Sequence, residues 1–159
     1  MAIMNKKAAD IFDGIEDLAL DSYFKNDSVK RDYLCTVEDY ARQTQGGEQT
    51  TVQVKVVGAD DDAPHREGEE LLITLKVGKY DHYYLKSVKQ LLMAITGKDN
   101  VSKADIDAAQ EGKLNGSRFV VSVTRGKPNP KKEGKFYSEF EYLSLAAAGL
   151  EDDDGATAA

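Results

Sequence analysis

The sequence predicts a mostly β domain with helices: five strands curled into a small barrel, a helix between the third and fourth strands, a helical N-terminal extension and an acidic C-terminal tail. Three observations carry the prediction. Apolar side chains alternate with polar ones in five separate runs, the period of a half-buried strand. That period gives way to helical spacing in the stretch between the third run and the fourth. The charge is also segregated: residues 28–150 sum to zero, residues 1–27 carry −3, and Glu151-Asp152-Asp153-Asp154 carries −4, for a net charge of −7. With 159 residues, 41% apolar and 31% charged, the chain has the size and composition of a globular protein with one core.

Taken in order, Ile11, Ile15 and Leu18 recur at helical spacing between Ala8 and Tyr23, which predicts a short amphipathic helix weakened by Gly14. Tyr33, Cys35 and Val37 then alternate in a first strand running from Arg31 toward Gln43. Gln45-Gly46-Gly47-Glu48 turns the chain, and Val52, Val54 and Val56 form a second strand. Asp60-Asp61-Asp62-Ala63-Pro64 is an acidic loop before Leu71, Ile73, Leu75 and Val77, the third strand. Leu85, Val88, Leu92 and Ile95 stand at helical intervals up to Gly97, where a left-handed cap forms easily. A second short helix is expected from Ser102, with Asp105 completing its cap, to about Gln110. Phe119, Val121 and Val123 make the fourth strand, Gly126–Gly134 a loop, and Phe136, Phe140 and Tyr142 the fifth, with the phenylalanines expected in the core. This divides the chain into an extension (1–28), a barrel domain (29–145) and a flexible acidic tail (146–159).

Three strands, a helix and two strands are the succession of the OB-fold, a five-stranded, partly open barrel whose ligands lie across strands two and three and between the first-to-second and fourth-to-fifth strand loops. Here those loops are Thr44–Thr50 and Gly126–Gly134. From 113 to 140 there are seven cations against two anions, a local +5 in an acidic molecule. At close range the field of such a patch outweighs the overall sign. Lys127, Lys131, Lys132 and Lys135 on the loop, with Arg118 and Arg125 on the strand before it, are candidates for a phosphate backbone. Tyr137, which alternation points away from Phe136 and Phe140, is the candidate for stacking on bases. Arg42, Lys55 and Lys76 extend the track. The plain alternative for the lysines is a solvated turn; Tyr80, Tyr83 and Tyr84, clustered with His82, are expected in core or barrel-plug packing, with base stacking as their other reading.

Specific runs carry a family likeness: Tyr33-Leu34-Cys35-Thr36-Val37 opening the barrel, Gly68-Glu69-Glu70-Leu71-Leu72, Ser87-Val88-Lys89-Gln90-Leu91-Leu92 in the helix, and Gly116-Ser117-Arg118-Phe119-Val120-Val121. From about Arg31 to Leu145 the chain resembles the OB-fold single-stranded-DNA-binding proteins encoded by bacteriophages. The resemblance implies a non-catalytic protein that coats single-stranded DNA in replication or recombination, in the cytoplasm of an infected bacterium. It also implies an acidic C-terminus that recruits replication or recombination proteins. Several such tails end in an apolar residue that docks in the partner, whereas this chain ends Gly155-Ala156-Thr157-Ala158-Ala159.

Catalytic and metal signatures are weak, so no enzyme and no cofactor are expected. His65 and His82 lack the spacing of a zinc pair, Asp60-Asp61-Asp62 lacks a calcium-loop pattern, and Gly97-Lys98 lacks the rest of a phosphate loop. Cys35, alone in an apolar alternation, suits a buried thiol in a reducing compartment. Neither a signal peptide nor a membrane span is read at the N-terminus, and association of copies through edge strands or the first helix stays open. Two other readings compete with strand binding: an OB-fold protein-interaction module of a phage structural or regulatory protein, and an acidic mimic of DNA.

Overall fold

A computed structural model describes residues 23–40, 49–76 and 81–150. The expected N-terminal helix, most of the first loop with Arg42, Tyr80, and the acidic tip at 151–154 lie outside the described residues. Five strands, β1 (Arg31–Asp39), β2 (Gln49–Gly58), β3 (Glu70–Lys76), β4 (Arg118–Pro128) and β5 (Phe136–Leu143), form one antiparallel sheet in the order β3-β2-β1-β4-β5. Two helices, α1 (Asp81–Thr96) and α2 (Lys103–Gln110), lie between β3 and β4. The architecture is therefore mostly β, as expected, but the sheet is open: among the described pairings β3 and β5 do not meet.

The alternation read from the sequence sets the two faces. Tyr33, Cys35 and Val37, Val52, Val54 and Val56, Leu71, Ile73 and Leu75, and Phe119, Val121 and Val123 are all buried in one cluster. At about 1.5–3 kcal/mol for each fully buried large apolar side chain, this face is the main favourable term in folding. Register shifts at Leu34/Cys35 and Val37/Asp39 interrupt the β1–β2 ladder. Such irregularities bend and twist a strand, and β1 is the central strand about which the sheet curls.

Helix α1 packs against β3, β4 and β5, burying Val88, Leu91, Leu92, Ala94 and Ile95. It ends at Gly97, whose φ of +73° few other residues adopt, with the Gly97 N–H donating to Met93 O at 2.8 Å. Leu85, expected on the apolar stripe, is exposed instead, because the stripe starts only at Val88. In α2 the Asp105 carboxylate accepts the Ser102 N–H at 2.8 Å, the capping-box bond anticipated for that pair.

What spans the gap between the edge strands is the segment ahead of β1. Tyr23 forms a parallel bridge with Leu72 on β3, while the Asn26 amide donates to Phe136 O (2.9 Å) and Ser138 Oγ (2.8 Å) on β5. Between them Phe24 is buried edge-on to His65 and Phe140 and tilted against Tyr33. The Lys25 N–H donates to His65 Nε2 at 2.8 Å. Residues 23–28 thus form a strap across the seam at the end from which the β2–β3 and β4–β5 loops leave.

Candidate nucleic-acid interface

β4 outruns its neighbour. Its ladder with β1 ends at Arg31↔Val123, whereas its ladder with β5 continues to Pro128↔Phe136. Residues 124–128 and 136–139 therefore leave the sheet as a two-stranded arm. Between Arg125↔Ser138 and Pro128↔Phe136, Gly126 and Lys127 stand opposite Tyr137 alone, a bulge in the arm. A Cβ on Gly126 would lie 2.9 Å from Glu139 Cγ and 3.1 Å from Tyr137 O, so the close approach of the two strands at the bulge is easiest with glycine.

The loop at the tip is closed by its own backbone. Asn129 N–H donates to Lys135 O at 2.9 Å, Lys132 N–H to Asn129 O at 3.2 Å, and the Asn129 side-chain oxygen accepts the Lys131 N–H at 2.9 Å. All four loop lysines, Lys127, Lys131, Lys132 and Lys135, are exposed, and among the described residues none is paired with a carboxylate. Arg125 lays its guanidinium over the Phe136 ring, 4.5 Å from the centroid. Tyr137, the residue after Phe136 and on the opposite face of the strand by alternation, is 49% exposed. The structure so gathers Arg125, the four lysines and Tyr137 on one arm.

The remaining candidates lie elsewhere. Arg118 and Lys55 flank Thr36 from β4 and β2 on the outward face, both exposed, in one row that continues to Glu70. Seven steps along the strand, roughly 23 Å at about 3.3 Å each, separate Arg118 from Arg125. Lys76 ends β3, and Arg42 lies outside the described residues. The face between the two basic regions is acidic at Asp32 and Glu141, with Glu141 3.6 Å from Lys30, and Glu139 adds a carboxylate at the root of the arm itself. On the outward parity of β2 and β3, Thr51 and Leu72 are buried. No continuous cationic groove crosses the described surface.

Phe136 and Phe140 were expected in the core; Phe136 is half-buried and Phe140 is 40% exposed. β5 is an edge strand, so its inward face is only partly covered. Phe140 stacks on Tyr142 at 6.3 Å and opens into a cleft of about 570 Å³ between α1 and β5, lined also by Met93, Gly97 and Ala147. Tyr83 is exposed and Tyr84 is half-buried, its hydroxyl bonded to Thr50.

Sequence reasoning missed the strap. Neither His65 nor Asn26 carries a motif, and their partners lie 40 and 110 residues away. His65 is buried, its Nε2 accepting from Lys25 and its Nδ1 facing Glu69 at 3.1 Å, so the neutral ring carries its proton on Nδ1. Asp62 pairs with Arg31 at 2.9 Å, as does Asp27 at 2.8 Å. The Arg31 guanidinium, with the Ser28 N–H, holds the Asp27 carboxyl below the usual carboxylate range. Among the described residues no group of three or more His, Cys, Asp or Glu is placed to hold a metal ion, and no helix is long and apolar enough to cross a membrane. No known protein family and no curated protein matches the chain.

Proposed function

We propose that this protein binds single-stranded DNA, as an OB-fold coat protein of phage replication or recombination that acts without turnover in the cytoplasm of the infected host. The observation that carries the reading is the arm: five cations without carboxylate partners among the described residues, on a bulged ribbon with an exposed tyrosine. Cations on a narrow projection track a phosphate backbone, and an exposed ring contributes about 1–3 kcal/mol per stacked base. The strand order is compatible with an OB-fold in which a strap and α1, rather than a ladder, lie between β3 and β5. The acidic 151–154 segment would then recruit replication or recombination proteins or compete for the arm.

A second reading draws on the acidic row at Asp32 and Glu141, which separates the arm from Arg118 and Lys55. In that case the arm alone engages an acidic protein and the barrel is an interaction module. Titration of fluorescent oligo-dT at several salt concentrations decides. Strand binding through the five arm cations predicts a slope of log K against log salt of about −3 to −4, at roughly −0.7 per phosphate contact. The double substitution Lys131→Glu/Lys132→Glu should shrink that slope by more than one, and Tyr137→Ala should weaken binding about tenfold. Absence of any oligonucleotide shift at low salt would leave the interaction module.

A further inference from the structure

We infer that the strap sets the position of the basic arm, with Asn26 as the positioning residue. This rests on the strand-binding reading for its functional consequence, but its structural half stands by itself. Beyond Val123 the arm has no β1 neighbour, and a two-stranded ribbon is marginally stable alone. Its root needs a third attachment. Asn26 supplies one on the free edge of β5, where one amide nitrogen donates to a backbone carbonyl and to the Ser138 hydroxyl, directly opposite Arg125 in the ladder.

Asn26 is itself held on both sides. Ahead of it, the Lys25 N–H is fixed by His65 and Phe24 is locked among Tyr33, His65 and Phe140. Behind it, Asp27 is pinned by the Arg31 side chain, which also grips Asp62 of the β2–β3 loop. The root of the arm is thereby tied to β1, to the β2–β3 loop and, through Tyr23, to β3. With the amide removed, Phe136 O loses its side-chain donor, and the two strands of the arm keep their mutual ladder and the Arg125–Phe136 stack, both of which lie within the arm.

The test uses the full chain carrying Asn26→Ala and, as the milder variant, Ser138→Ala, which removes one of the two bonds. Amide hydrogen exchange and the oligo-dT salt slope are measured together. Asn26→Ala should speed exchange of residues 136–139 about five- to tenfold while Val52–Val56 keep their protection, in line with the loss of a partly buried hydrogen bond, and Ser138→Ala should do less. The salt slope should fall toward that of the Lys131→Glu/Lys132→Glu protein, a change that a general loss of stability would not produce. Unaltered exchange at 136–139 overturns the inference, as does faster exchange with wild-type affinity and slope. Faster exchange in a protein whose unmutated form binds no oligonucleotide upholds the clamp and removes the strand-binding reading instead.

Discussion

At Gly126 the absence of a Cβ lets β4 pass close to the Glu139 side chain and the Tyr137 carbonyl across the bulge. An alanine there meets the Glu139 side chain, which is exposed and can swing away, and the Tyr137 carbonyl, which cannot. Gly126→Ala should cost about 1–2 kcal/mol, at the low end of overpacking penalties because half the clash is relieved by a rotamer change, read as a lower urea midpoint at constant m. Cys35 yields a second prediction. Burial against Tyr33 and the valines pushes its thiol up to about 12, so at pH 8 the folded protein presents no thiolate. Labelling by a disulfide reagent should proceed only as fast as the chain opens, and should accelerate with denaturant along the unfolding curve. The burial of Cys35 and the outward aim of Tyr137 were both legible, because strict alternation assigns faces within a strand. Phe140 was not: alternation gives its face but not whether a neighbouring strand covers that face.

Among the elements, the strands and the two helices followed from period and caps, whereas their lateral company did not. Nothing in Arg125-Gly126-Lys127-Pro128 says that β1 has already ended beside them, so the basic loop read as a turn between strands and not as the tip of a projecting arm. The strap escaped for a related reason: its bonds are made by a backbone N–H and an amide side chain to partners far along the chain. Helix α2 permits a test at this scale. Asp105 accepts the Lys98 ammonium at 2.6 Å and the Ser102 N–H, and these two together hold its carboxyl below the ordinary value. A depressed folded-state value means that the contribution is complete above the unfolded-state value, near pH 4, and is lost as pH falls through the folded one. Amide exchange in residues 103–110, corrected for intrinsic rate, should therefore quicken as pH drops below about 4, while Asp105→Asn should flatten that dependence. Persistence of the wild-type profile in the asparagine protein would assign it to other carboxylates.

For the molecule as a whole, the order β3-β2-β1-β4-β5 leaves two edges that a barrel would pair, and both run in the same direction as β1. Exposed edges invite pairing between copies, and covering them is the usual remedy. Here α1 packs against both edge strands, and the strap crosses between them with Phe24 as its buried anchor. If this closure matters for global stability, Phe24 should behave as a core residue although it precedes the first strand. Phe24→Ala removes a ring that contacts Tyr33, His65 and Phe140, from β1, the β2–β3 loop and β5 in turn, and should cost about 3–5 kcal/mol. The effect is read from the urea midpoint, and light scattering at increasing concentration should report association through the freed β3 and β5 edges. A cost below about 1 kcal/mol would mean that the sheet and α1 hold without the strap, since residues whose loss is so cheap contribute little to a core. In that event the seam would be closed by the helix alone, and Asn26 would have no rigid support from which to hold the arm.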